Sequence, residues 1–268
     1  MHIMKNKILI LFVLILSSPI VFSQNNQINQ TGPNGQKQGY WEKRYQNGEL
    51  QYTGQFKNNN PVGEFKRYDP NGFLIAKINY KEGSDLVYTE FYYPDKTLRA
   101  KGNYINKKKD SIWVYYAEEG YKINEVPYLN DRKHGIEKKF YQSGELSEKA
   151  SWKNGIKDGL TIRYYDNGNV MTRIYYENGR LEGEYNVYGP EENILIQGQY
   201  ENNKREGRWI YYKDNGHIKD ELNYTNGIAE NQEELERLED EQIKMLEKNK
   251  GKFQSPEERM YNSIPPGN

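Results

Sequence analysis

The sequence predicts an all-β fold: an elongated single-layer antiparallel meander of eight 24-residue β-hairpin repeats, followed by a C-terminal α-helix. Three observations predict it. Stepping back 24 residues at a time from Tyr224 gives Tyr200, Tyr176, Trp152, Tyr128, Tyr104, Tyr80 and Phe56, all aromatic. The same step from Gly207 gives Gly183, Gly159, Gly135, Ser111, Val87, Gly63 and Gly39, and from Gly216 it gives Glu192, Gly168, Gly144, Gly120, Lys96, Gly72 and Gly48. Asn–Gly pairs, strong hairpin signals because both residues accept positive φ, recur in two places per unit, as at Asn47-Gly48 and Asn154-Gly155. A fixed period held without insertion signals a stacked array.

Composition agrees. The mean hydropathy is −1.07, yet Tyr reaches 25 copies. Tyr supplies apolar area while keeping one polar end, which suits a thin structure whose core lies near water. Lys+Arg and Asp+Glu balance at 38 each, which excludes the one-sided basic field that nucleic acid binding needs. There is no Cys, which excludes disulfides and thiolate chemistry.

Taken in order, residues 1–23 read as a secretory signal peptide. Lys5 and Lys7 precede the apolar run Ile8 to Leu16, and Val21 and Ser23 suit the −3 and −1 positions of a cut before Gln24. The run is well short of the ~20 residues a spanning helix needs. An exported protein, periplasmic or extracellular, is therefore expected. Residues 24–38 form a polar linker with nothing to bury.

Residues 39–230 are the array. Each unit holds two strands joined by links too short for a crossover helix, so neighbours are antiparallel. Pairing Tyr45 with Leu50 and Phe56 with Gly63 places Trp41, Leu50, Gly54 and Phe56, and their copies, on one continuous apolar face. The other face receives Thr53, Lys77, Lys101, Glu125, Lys149, Arg173, Gln197 and Glu221. By the same parity Tyr68, Tyr92, Tyr116, Phe140, Tyr164, Tyr188 and Tyr212 fall on the polar face, unless a bulge turns them inward. One unit buries too little to fold alone, so stability comes from stacking. Residues 231–250 carry Leu235, Leu238, Met245 and Leu246 at roughly helical spacing and read as a helix capping the last strand. A short coiled coil is the alternative. Residues 251–268 read as a loose tail.

The unit Gly-x-Trp-x-x-Tyr-Tyr-x-x-x-Gly, carried best by Gly39-Tyr40-Trp41, Gly63-Glu64-Phe65, Gly183-Glu184-Tyr185 and Gly207-Arg208-Trp209, resembles the MORN-repeat variant found in the YwqK-type antitoxin family. The resemblance implies β-hairpins in one elongated twisted sheet and a role as interaction scaffold; lipid binding has been proposed for some members. It leaves function open. The third copy departs most, with Val87 and Lys96 in place of Gly, and the fourth has Pro127, which removes a ladder hydrogen bond.

Catalysis is not expected. His134 and His217 occupy turn positions, and neither a nucleophile–base pair nor a Gly-rich phosphate loop can be nominated. Asp110, Asp158, Glu182 and Glu206 recur before the Gly, but equivalent positions lie two strands apart, about 9.5 Å, too far to share one ion. No cofactor or metal is expected. The expected activity is binding of a protein partner or a second copy along the apolar face, with Trp41, Phe65, Trp113, Trp152 and Trp209 as anchors, since buried aromatics dominate interfaces. No residue pattern supports a membrane surface as partner. Two alternatives stand beside this: an antitoxin or immunity protein, and a cell-wall carbohydrate- or choline-binding module. The run from Trp209 to Gly216 looks like a wall-binding repeat.

Overall fold

The computed structural model describes residues 28–230 together with 236, 237, 239–241, 243 and 244. The expected signal peptide at 1–23 and the expected tail at 251–268 lie outside the described residues. Those described form one open antiparallel sheet of 19 strands in meander order. The sheet begins inside the predicted linker, where Gln30–Thr31 pairs with Lys37–Arg44.

Two turns alternate. Between Leu50–Lys57 and Asn60–Tyr68, Asn58 and Asn59 have φ of 51° and 66°. Positive φ at both central residues makes a type I′ turn, whose twist matches that of the strands. The other link is a type I turn closed by a residue at positive φ. Gly48 N–H donates to the Tyr45 carbonyl and Tyr45 N–H to the Glu49 carbonyl, and Gly48 has φ 89°. Lys96 and Glu192 hold this position at φ 74° and 63°.

The register differs from the simple alternation expected. Thr53 pairs with Lys66, but Gln55 pairs with Val62 and Phe56 with Pro61 rather than Gly63. Two extra residues are accommodated around Gly63, φ 71°, an irregularity that glycine admits because it has no Cβ. Ser111 takes the same role at φ 60°, and Val87 does not take it. Accordingly Leu74–Tyr80 and Leu86–Tyr92 pair without a shift. A second shift pairs Leu50 with Arg44 instead of Tyr45. In the same way Leu74 lies opposite Tyr68, Leu98 opposite Tyr92 and Val170 opposite Tyr164. Directly opposed residues share a face, so these leucine-type residues lie on the outer face, not with Trp41 as expected.

The second aromatic row therefore stays outside and is covered by cations. The Lys77 Nζ lies 5.3 Å from the Tyr92 ring centre, Lys101 5.8 Å from Tyr116, and Lys149 5.8 Å from Tyr164. Pro127 remains within Lys122–Leu129, opposite Ile112. The strand on its other side is broken into Arg132–Lys133 and Gly135–Phe140, with His134 N–H donating to the Pro127 carbonyl.

Side chains staple one repeat to the next. The Tyr45, Tyr93 and Tyr165 hydroxyls donate to the carbonyls of Tyr68, Tyr116 and Tyr188 at 2.9, 3.0 and 2.9 Å. Near the C-terminus the described residues from 236 to 244 are helical, and Arg237 reaches Asp220 of Ile218–Thr225 at 2.8 Å. That docks the helix on the last long strand; the predicted cap residues Leu235, Leu238, Met245 and Leu246 lie outside the described residues.

A non-glycine residue at positive φ stores strain of about 1 kcal/mol or more. Ser111→Gly and Glu192→Gly are each expected to raise stability by roughly 0.5–1 kcal/mol, less the entropy glycine gains when unfolded. Urea midpoints check this, with Gly207→Ala expected to shift the opposite way.

Candidate functional site

The inner face carries the predicted anchors. Trp41, Phe65, Trp113 and Trp209 sit at one position of the first, second, fourth and eighth units, the middle of the outgoing strand. Trp152 belongs to the neighbouring column with Phe56 and Tyr224, at the end of the return strand. The columns interlock edge to face: Trp41–Phe56 at 6.0 Å, Phe56–Phe65 at 5.2 Å and Phe65–Tyr80 at 5.2 Å. The ladder resumes with Tyr185–Tyr200 at 5.4 Å, Tyr200–Trp209 at 5.2 Å and Trp209–Tyr224 at 6.0 Å. T-shaped contacts of this kind add to area burial.

Three of the large rings, Phe65, Trp113 and Trp209, lie on a glycine of the preceding return strand, whereas Tyr185 pairs with Ile174. A Cβ at Gly54, Gly102 or Gly198 would stand 2.5, 2.4 or 2.3 Å from the ring of Phe65, Trp113 or Trp209. The indole N–H then finds the carbonyl one residue past that glycine: Trp113 donates to Asn103 at 3.0 Å and Trp209 to Gln199 at 3.1 Å. Cations cover the exposed edges. Lys109 lies 4.7 Å from the Trp113 ring centre, Lys133 4.3 Å from Trp152 and Arg205 4.8 Å from Trp209. Trp113 and Trp209 are each 1% exposed and Phe65 7%; Trp41 and Trp152 are partly exposed. These indoles are thus largely the internal core of the stack.

The aromatic column has gaps. Thr89, Glu137 and Thr161 occupy the Trp position and are buried. At Glu137 the face is charged, which corrects the expectation of a continuous apolar face. The Lys133 Nζ bonds both Glu137 carboxylate oxygens at 2.9 Å. Beside it Glu148 meets Lys139 at 3.3 Å and the Arg163 Nε at 2.9 Å. Burial pushes the Glu148 carboxyl up, but Lys139 and Arg163 more than reverse that and hold it below the usual 4.5. A depressed pKa contributes stability that is present above the unfolded value and lost as pH falls through the folded one. The urea midpoint is therefore expected to fall below about pH 4.5, and less so in Glu148→Gln.

At Thr89 the missing ring leaves a cleft of about 550 Å³ lined by Ala76, Ile78, Val87 and Phe91, with Tyr80 and Tyr104 at its sides.

The outer face also changes in the middle of the array. Ile112, Ile136 and Leu160, one period apart, are 57%, 58% and 41% exposed. Their ladder partners are Pro127, Ser151 and Tyr175. Leu129 and Ile156 are also exposed and, by register, face the same way. In other units this position is Tyr40, Glu64, Tyr88, Glu184 or Arg208. The apolar strip crosses four strand spacings, about 19 Å. The sequence reading assigned this face to polar residues and the second aromatic row and did not single out this strip; the 24-step through Ile112, Ile136 and Leu160 was the signal for it.

The recurring carboxylates serve turns. The Glu182 and Glu206 carboxylates accept the backbone N–H of Asn202 and Asn226 at 2.9 and 2.7 Å. Among the described residues no three His, Asp or Glu converge to hold a metal, and no helix is long and apolar enough to cross a membrane.

The family model described as MORN repeat variant matches residues 37–58, 61–82, 133–154, 157–178 and 205–226. The unmatched interval contains Val87, Thr89 and Pro127. No curated protein matches the chain.

Proposed function

We propose that this chain, built of MORN-type repeats, is an exported, non-enzymatic scaffold that docks a protein partner on the outer face of its fourth to sixth repeats. The observation that carries this reading is the strip of Ile112, Ile136 and Leu160, large side chains 41–58% exposed where other units place polar or aromatic residues. Contiguous exposed apolar strips mark interaction surfaces on soluble proteins. The inner indoles support the reading indirectly. Trp113 and Trp209 at 1% exposure offer a partner almost no area, so they hold the stack rigid while the outer strip makes the contact. Extended arrays present surfaces of this kind.

The test is affinity capture from the native host with the chain starting at Gln24. A specific captured protein should be lost with the double variant Ile112→Lys/Ile136→Lys and retained with Lys101→Ser. Both isoleucines are exposed, so the circular dichroism spectrum should not change. Equal capture by the double-lysine variant would remove the strip as the docking surface. Export rests on the Lys5–Ser23 segment, and N-terminal sequencing of the native protein should begin at Gln24. A retained Met1 would contradict it.

A further inference from the structure

The cleft in the third repeat faces the opposite side of the sheet from the outer strip. It arises where two departures from the repeat coincide. Thr89 replaces the ring of the inner column, and Val87 replaces the glycine of the bulge, so the strands run on without a shift. The link that follows Tyr80 is also longer, running from Lys81 to Asp85 instead of through a two-residue turn.

The result is two confluent depressions that share Pro61, Tyr80, Val87 and Lys107. The first, about 550 Å³, has an apolar floor and carries Arg67 and Lys107 but no carboxylate. The second, about 830 Å³, is lined by the amides of Asn58, Asn60 and Asn106 and by the Lys81–Asp85 link; it carries Lys57, Lys81 and Lys107 against the carboxylates of Glu82, which is paired with Lys57, and Asp85, so cations exceed carboxylates there too. Both volumes are in the range of ligand sites. Among the described residues Arg67 and Lys107 form no ion pair, and the Tyr80 and Tyr104 hydroxyls have no hydrogen-bond partner.

We propose that this cleft binds an extended acidic peptide segment, with one aromatic or aliphatic side chain seated over Ile78, Val87 and Phe91 and a neighbouring carboxylate held by Arg67 and Lys107. Charge complementarity selects the occupant. An apolar pocket rimmed by two unpaired cations and no carboxylate favours an apolar group next to an anion. The amide-lined second depression gives the peptide main chain hydrogen-bond partners, which a compact ligand confined to the first depression would leave unused.

The probe is acetyl-Asp-Asp-Phe-Asp-Asp-amide, titrated calorimetrically into the chain from Gln24. Saturable binding is expected. It should weaken by about tenfold or more when Phe is replaced by Ser, when the four Asp are replaced by Lys, or when the protein carries Arg67→Glu. Ile78→Gly/Thr89→Trp rebuilds the ring-on-glycine pair seen at Trp113 and Trp209 and should abolish binding. Arg67 is exposed, so its variant decides the matter even where the double variant does not fold. The outer-strip variant Ile112→Lys/Ile136→Lys should bind the peptide as the native chain does, which separates this site from the docking strip. No saturation up to roughly 1 mM, equal binding of the Ser peptide, or an unaltered affinity in Arg67→Glu would each overturn the proposal.

Discussion

Replacing Trp113 by Ala should cost about 3–5 kcal/mol and should open the middle of the array before its ends. The indole is 1% exposed. It packs edge to face on Tyr104 at 4.9 Å and stacks near Phe91 at 6.2 Å, and its N–H occupies the Asn103 carbonyl. Truncation removes the largest inner side chain of the fourth repeat and leaves Gly102 facing a void. It also strips Lys109, 4.7 Å from the ring centre, of its aromatic contact. Repeat arrays are stabilised by nearest-neighbour contacts, so the loss should stay local. Hydrogen exchange should show protection falling in Leu98–Ile105, Lys108–Tyr116 and Lys122–Leu129, with Lys204–Tyr212 unchanged. Uniform loss over all repeats would mean that the sheet folds as one cooperative body.

Lys133→Ala should cost a comparable 3–5 kcal/mol, because it strands a buried carboxylate. The Glu137 side chain is 2% exposed, and Lys133, 29% exposed, bonds both its oxygens. The Asn124 amide nitrogen stands 3.5 Å from one of those oxygens. The pair is weak support for stability as such, since replacing both members by apolar residues of similar size is often neutral or better. Lys133→Met/Glu137→Met should therefore recover most of the loss in urea melts. If Lys133→Ala proves nearly neutral, Glu137 is satisfied in some other way and the charged interval of the inner face is not a stability-critical pair.

How much of this was legible follows from what repeats and what does not. The 24-residue step, the aromatic and glycine columns, the short turns and the third copy's irregularity can be read from Gly39 to Tyr224, because every unit faces the same packing problem. The pairing of Trp41 with Gly54 was readable for the same reason. The slip at Gly63 was not, since a strand period of two says nothing about where extra residues are absorbed. A separate one-residue shift, at Arg44 and its copy at Tyr68, decides the face of Leu50 and Leu74. Glu137 stood in the Trp column, but column arithmetic on Tyr224 and Gly207 did not pass through it. Lys157 and Arg205 lie over rings, 5.1 Å from the centre of Tyr176 and 4.8 Å from that of Trp209. Their stems follow the rings across the turn, a contact between neighbouring strands that one unit does not display. The cleft needs Val87, Thr89 and Ile78 together, residues on adjacent strands whose alignment depends on the absent slip.

The central claim is that large and small residues are matched across repeat boundaries, with a ring on a glycine at Phe65, Trp113 and Trp209. Gly198→Ile and Trp209→Thr, alone and together, test it most directly, because the double variant copies the Ile78 and Thr89 pair the chain already uses. A Cβ at Gly198 would stand 2.3 Å from the Trp209 ring, so Gly198→Ile alone should destabilise by about 1–3 kcal/mol or more. In the Trp209→Thr background the same change should stabilise by filling the space the indole leaves, giving a coupling of at least about 1 kcal/mol in urea melts. Equal destabilisation by Gly198→Ile in both backgrounds would contradict the claim.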